Sequence, residues 1–173
     1  MTHRFWAQCV GRMLVSTLLA IGLAACATGP RLVSHSFSFN GLKDHWADSV
    51  DLLAYAYGDG YHMVREDLSN PSSSALANKP GLPTGRSING PMPVGEFLFV
   101  KWRVKATGEV LEQRVDLRGR LPKNMTNREV TFVMEGPQLY VFVVTRDAPM
   151  VKGVLLKTWL SRYNHAYEIY PTK

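Results

Sequence analysis

The chain has 173 residues, 46% of them hydrophobic, with a formal net charge of +6 and two cysteines. That length suits a single domain with its own core, and two cysteines are too few for a disulfide scaffold. No block of like charges marks a nucleic-acid-binding tail, and no internal repeat marks a propeller or solenoid.

Arg4 and Arg12 precede an apolar run from Met13 to Ala25, and no acidic residue occurs before Asp44. A basic start, a short apolar run and small residues at its end describe a secretory signal peptide. The run is also shorter than the roughly 20 apolar residues that span a bilayer. It closes on Leu23-Ala24-Ala25-Cys26. This stretch resembles the lipobox of bacterial lipoproteins. The resemblance implies cleavage before Cys26, a diacylglycerol on its thiol and an acyl chain on its new amine. Each buried CH₂ contributes about 0.8 kcal/mol, so several chains hold a protein on a membrane where one does not. Ala27 stands where the family's inner-membrane retention signal has Asp, which implies the outer membrane. The expected organisation is a signal peptide over 1–25, a lipidated Cys26 with a tether over 26–40, and one domain over 41–173. Cleavage removes Cys9 and leaves no thiol free to pair. It also lowers the net charge from +6 to +4, because Arg4 and Arg12 leave and no acid does.

After the tether, where Thr28, Gly29 and Pro30 break any helix, Ser34 to Phe39 alternates polar and apolar residues, a weak strand signal. Asp48 to Gly58 is the first convincing strand, and Gly58-Asp59-Gly60 turns it back into Tyr61–Glu66. Ser69 to Pro93 carries five prolines among serines, glycines and asparagines and has no period. It is predicted to be a long surface loop, of the length that is usually functional or disordered. Gly95 to Leu117 predicts a long hairpin turning at Thr107-Gly108, and Val130–Met134 with Leu139–Thr145 predicts a second around Gly136-Pro137. Leu139 to Val144 is apolar on both faces, which predicts the central strand. Met150 to Leu160 suits a short helix, and Tyr163 to Tyr170 a last strand. The fold class is therefore all-β: an antiparallel β-sandwich of immunoglobulin-like or transthyretin-like outline, with seven or eight strands and at most one short helix.

Catalytic and metal-binding patterns are weak. His35, His45, His62 and His165 show no i, i+4 pairing and have no cysteine to join them. His35 and His165 could meet in a sheet, though a lone His near a strand is ordinarily a solvated or hydrogen-bonded residue. Gly85-Arg86-Ser87-Ile88-Asn89 lacks the last glycine of a nucleophile elbow. Asp44, Asp48 and Asp51 lack the glycine bend and terminal Glu of a calcium loop. No cofactor, metal or catalytic residue is expected. The candidate contact residues are basic: Arg86, alone among arginines in the Pro-rich loop, and Arg118, Arg120 and Lys123 on the connection leaving the main hairpin. An arginine fork suits a carboxylate or phosphate, while Lys and Arg also blunt exposed strand edges. The strand aromatics, among them Tyr55, Tyr57, Phe97 and Trp102, are chiefly core.

The mature part resembles, through Tyr55-Ala56-Tyr57-Gly58-Asp59, Gly90-Pro91-Met92-Pro93-Val94-Gly95-Glu96 and Val115-Asp116-Leu117-Arg118, small lipoproteins of Gram-negative bacteria. Some of that outline are periplasmic immunity proteins against secreted antibacterial lipases. The resemblance implies a non-enzymatic, membrane-tethered module on the periplasmic leaflet of the outer membrane, with a protein partner. The alternative is a structural or assembly lipoprotein of an envelope or secretion complex.

Overall fold

Along His35-Ser36-Phe37-Ser38-Phe39-Asn40 the side chains alternate with the period of two that sends neighbours to opposite faces of a sheet. In the computed structural model, which describes residues 29–65, 81–146 and 155–171, this stretch lies in strand β1 (Leu32–Asn40). The chain divides after Pro30, and the unit from Arg31 onward is an all-β sandwich. Its other strands are β2 (Val50–Tyr57), β3 (Tyr61–Val64), β4 (Gly85–Pro93), β5 (Phe97–Val104), β6 (Val110–Asp116), β7 (Arg128–Glu135), β8 (Gln138–Thr145) and β9 (His165–Tyr170). One sheet runs β4-β1-β7-β8-β9 and the other β3-β2-β5-β6.

The predicted hairpins form, as β2–β3, β5–β6 and β7–β8. Several details differ from the sequence reading. The tether of 26–40 ends in β1, because Phe37 and Phe39 are fully or nearly fully buried and hold that segment in the sheet. The loop of 69–93 ends in β4, which pairs antiparallel with β1 over its whole length; residues 66–80 lie outside the described residues. Pro91 and Pro93 are tolerated because β4 is an edge strand, where a missing N–H breaks no ladder. The β1–β7 pair is parallel, with Ser36 beside Glu129 and Ser38 beside Thr131, so the sandwich is not wholly antiparallel. There are nine strands among the described residues, and β7 rather than β8 is the middle one of its sheet. β8 is apolar on both faces because its outward residues Phe142 and Val144 are also buried. Of the expected helix over Met150 to Leu160, residues 150–154 lie outside the described residues; from Leu155 onward the one helical element is a 3-10 turn over Trp159–Arg162. No helix among the described residues is long and apolar enough to cross a membrane.

The core is aromatic and joins the two sheets. Phe37 of β1 stacks on Tyr57 of β2 with centroids 4.8 Å apart and planes 1° off parallel. Phe39 meets Phe132 at 4.7 Å and Tyr55 at 5.0 Å. Such pairs contribute about 0.5–1.5 kcal/mol each beyond the area they bury. The Tyr57 hydroxyl donates to Nε2 of His35 at 2.9 Å, while Nδ1–H of His35 donates to the Val33 carbonyl at 2.8 Å. Because a carbonyl can only accept, a proton is assigned to Nδ1 of His35. Burial pushes Tyr57 up to about 12, which keeps it a donor. After β1 the chain crosses to β2 past Gly41, where a Cβ would lie 2.7 Å from the buried ring of Trp46.

That crossing also fixes the 3-10 turn. Oδ1 of Asp44 accepts the Trp159 N–H at 2.6 Å, and Nζ of Lys43 sits 4.0 Å from the centroid of the Trp159 ring. Burial pushes the Asp44 carboxyl up to about 6, against the opposing pull of the Trp159 N–H and the Thr158 hydroxyl. A carboxyl raised in the folded state binds its proton there before the unfolded chain does. Stability therefore rises as pH falls through about 6, and the cost of the buried charge is present in full above it. Asp44→Asn keeps the acceptor for Trp159 and removes the charge. Urea unfolding is expected to show the variant more stable than the parent at pH 8 and equal to it near pH 4; an equal gap at both pH values would count against this account.

Candidate functional site

Because Phe37 and Phe39 point inward, Ser36, Ser38 and Asn40 point out from the other face of the same strand. The register sets Ser36 opposite Asn89, Ser38 opposite Ser87 and Asn40 opposite Gly85 on β4. On the other side, β7 brings Glu129 beside Ser36 and Thr131 beside Ser38. The hydroxyl of Ser36 donates to Oδ1 of Asn89 at 2.5 Å, and Nδ2 of Asn89 donates to Ser87 at 3.2 Å. The result is a floor of hydroxyls and amides on the outer face of the five-stranded sheet.

At the edge of this floor lies a charged pair. The Glu129 side chain is 1% exposed and the Arg146 side chain 53%. Oε2 of Glu129 accepts from Nε of Arg146 at 2.8 Å and lies 2.6 Å from Nη2. Ser38 donates its hydroxyl hydrogen to the other oxygen, Oε1. Taking a carboxylate out of water costs several kcal/mol unless a counter-charge and hydrogen bonds replace the lost solvation. Arg146 and Ser38 supply both. A pair of apolar side chains would fill such a position at no loss of stability, so this pair says more about what the face does than about what holds it.

Two cavities open over the floor. The larger, about 750 Å³, lies over Ser38, Asn40, Gly85 and Ser87 and is walled by Glu129, Arg146, Trp159 and Tyr163. The smaller, about 310 Å³, lies over Ser34, Ser36, Asn89 and Gly90 with Asn127. Arg146 lines both. Together they follow β1 from Asn40 to Ser34, about 20 Å at the rise of an extended strand. The aromatic wall is held from behind. Thr158 caps the 3-10 turn through the Leu160 N–H, the buried Ser161 hydroxyl donates to the Thr158 carbonyl at 2.8 Å, and Nδ2 of Asn164 donates to the Leu160 carbonyl at 3.2 Å. Tyr163 projects from it, 70% exposed.

The residues predicted from the sequence are scattered. Cys26 lies outside the described residues. Arg86 borders the larger cavity, on a strand rather than in a loop; its place opposite Phe39 turns it toward Tyr55, whose hydroxyl it hydrogen-bonds. Arg118 is held by Asp116 at 2.8 and 3.0 Å, and its side-chain hydrogen bonds draw that carboxyl down to about 2. Arg120 donates to the Ile169 carbonyl at 2.9 Å, on β9. Lys123 is exposed. Strands β4 and β9 are opposite edges of the sheet, so Arg86 and Arg120 do not share a patch. His35 and His165 do not meet either, since β7 and β8 separate their strands. Asp51 is bound by Arg103 at 2.6 Å and by Lys105 at 3.6 Å. Glu129, Arg146 and the outward serines of β1 escaped the sequence reading. Their one visible signal was the serine at every second position from Ser34 to Ser38.

The chain matches no family model, no curated protein and no solved structure.

The charged pair yields a stability prediction. Arg146→Ala leaves a buried carboxylate without its counter-charge, and urea unfolding is expected to show a loss of about 2 kcal/mol. Replacing both partners, Glu129→Met with Arg146→Met, should recover most of that loss. A double variant as unstable as the single one would mean the pair itself holds the face together.

Proposed function

We propose that this chain is a lipid-anchored, non-enzymatic protein-binding module of the periplasm, held at the outer membrane through Cys26, with the outer face of its five-stranded sheet as the binding surface. The observation that carries the proposal is the make-up of the groove: serines, asparagines and glycines on a rigid sheet, with Trp159, Tyr163 and Arg146 beside them. Those residue types dominate protein-recognition paratopes. Ser, Asn and Gly give adaptable hydrogen bonding, and Tyr and Trp give contact area at low entropic cost. The net charge of +4 left after removal of 1–25 favours an acidic partner.

The use of the polar groups supports a binding rather than a chemical role. Ser38 gives its hydroxyl hydrogen to Glu129, and His35, on the same strand, faces the core with both ring nitrogens engaged. Protection against a secreted antibacterial lipase is the narrower form of this proposal. The lipid anchor rests on the resemblance at Leu23-Ala24-Ala25-Cys26 alone.

A photo-crosslinking residue placed at Asn89, in the groove, or at Glu112, on the edge strand β6, tests the surface in living cells. Asn89 is expected to give one discrete covalent adduct and Glu112 none, and Cys26→Ser to release the protein from membranes. Adducts from Glu112 alone would move the binding surface to the other sheet. A Cys26→Ser protein still bound to membranes, with its precursor uncut, would remove the lipid anchor.

A further inference from the structure

We propose that the groove takes an extended, acidic segment of its protein partner, and that Arg146 is the residue that receives its carboxylate. This rests on the reading of the groove as a protein-binding face. Arg146 stands where the two cavities meet. Its guanidinium carries five N–H donors in a fixed fork. Nε–H and one Nη2 hydrogen go to Glu129, and about half of the side chain remains exposed at the groove. Glu129 is itself braced by Ser38 from below. A guanidinium held this way loses little freedom when it binds, and its planar fork fits a carboxylate with two hydrogen bonds.

Charge and spacing point to the same ligand. Glu129 balances Arg146, Asp44 offsets Lys43 beside Trp159, and Arg86 on the cavity rim is turned to the Tyr55 hydroxyl. The cationic donor group that faces the groove is therefore the exposed part of the Arg146 fork. Ser34, Ser36, Ser38 and Asn40 present one polar group for every second residue of β1, about 6.6 Å apart. An extended peptide laid along the strand presents its side chains at the same repeat, so its polar groups stay in step with the floor while one acidic side chain reaches Arg146.

The test is selection of a random twelve-residue peptide library on the full lipoprotein in detergent, with Arg146→Gln, Arg146→Lys and the paired Glu129→Gln/Arg146→Gln as parallel baits. The paired variant removes the buried unpaired charge, so loss of folding cannot imitate loss of binding. The expected result is Asp or Glu enriched at one position, at least tenfold weaker binding of those peptides to both Gln baits, and partial recovery with Arg146→Lys. Enriched peptides with no acid, blocked by Ser36→Trp, would overturn the role of Arg146 and leave the groove standing. Peptides insensitive to Ser36→Trp would overturn the groove as well. A soluble oligosaccharide bound at the groove while no peptide is enriched would overturn the assignment to a protein segment.

Discussion

One constraint governs this structure: the strict alternation along β1. Its inward side supplies Phe37 and Phe39, which tie the two sheets together through Tyr57 and Tyr55 and pack on Phe132 of their own sheet. Its outward side supplies Ser36, Ser38 and Asn40, which make the floor of the groove. A slip of one residue in pairing would exchange the two sides. Two phenylalanines would then face water, at about 1.5–3 kcal/mol each, and hydroxyls and an amide would enter an aromatic core. The same alternation that fixes the core thus fixes the site. β1 is held to its register from both sides, by β4 along its full length and by β7 at Ser36, Phe37 and Ser38.

The groove departs from what stability alone would select. A carboxylate that is 1% exposed, paired with a half-exposed guanidinium, has solvation to recover and gains little in packing. Thr131, on the same outer face, keeps a buried hydroxyl with no hydrogen-bond acceptor or donor among the described residues. Asp44 holds the aromatic wall in place with a carboxyl that burial makes costly to ionise. The outer face thus carries polar groups that packing alone does not require, while in the aromatic core the Nε1–H of Trp46 is likewise buried without an acceptor among the described residues.

How much of this was legible in the sequence follows from the range of each interaction. The hairpins β2–β3, β5–β6 and β7–β8 join neighbours through short turns, so Gly58, Thr107-Gly108 and Gly136 announced them. β4 was hidden because Pro91, Pro93 and Gly90 read as loop residues, and only its place at a sheet edge admits them. The β1–β7 pair was hidden because nothing local signals a parallel neighbour some ninety residues away. Arg86 was singled out from the sequence and does border the groove, though as a strand residue bonded to Tyr55. Arg118 and Arg120 lie elsewhere, engaged by Asp116 and Ile169. Glu129 and Arg146 are seventeen residues apart and meet only once the β7–β8 hairpin closes.

The most direct test of this account is the register of β1 in solution, read from cross-strand nuclear Overhauser contacts in isotopically labelled protein. The account predicts backbone contacts that place Ser36 beside Glu129 and Ser38 beside Thr131 in a parallel pattern, with the rings of Phe37 and Tyr57 in contact. Contacts placing Phe37 on the face of Glu129 and Thr131, or a Phe37 ring without Tyr57 beside it, would contradict it.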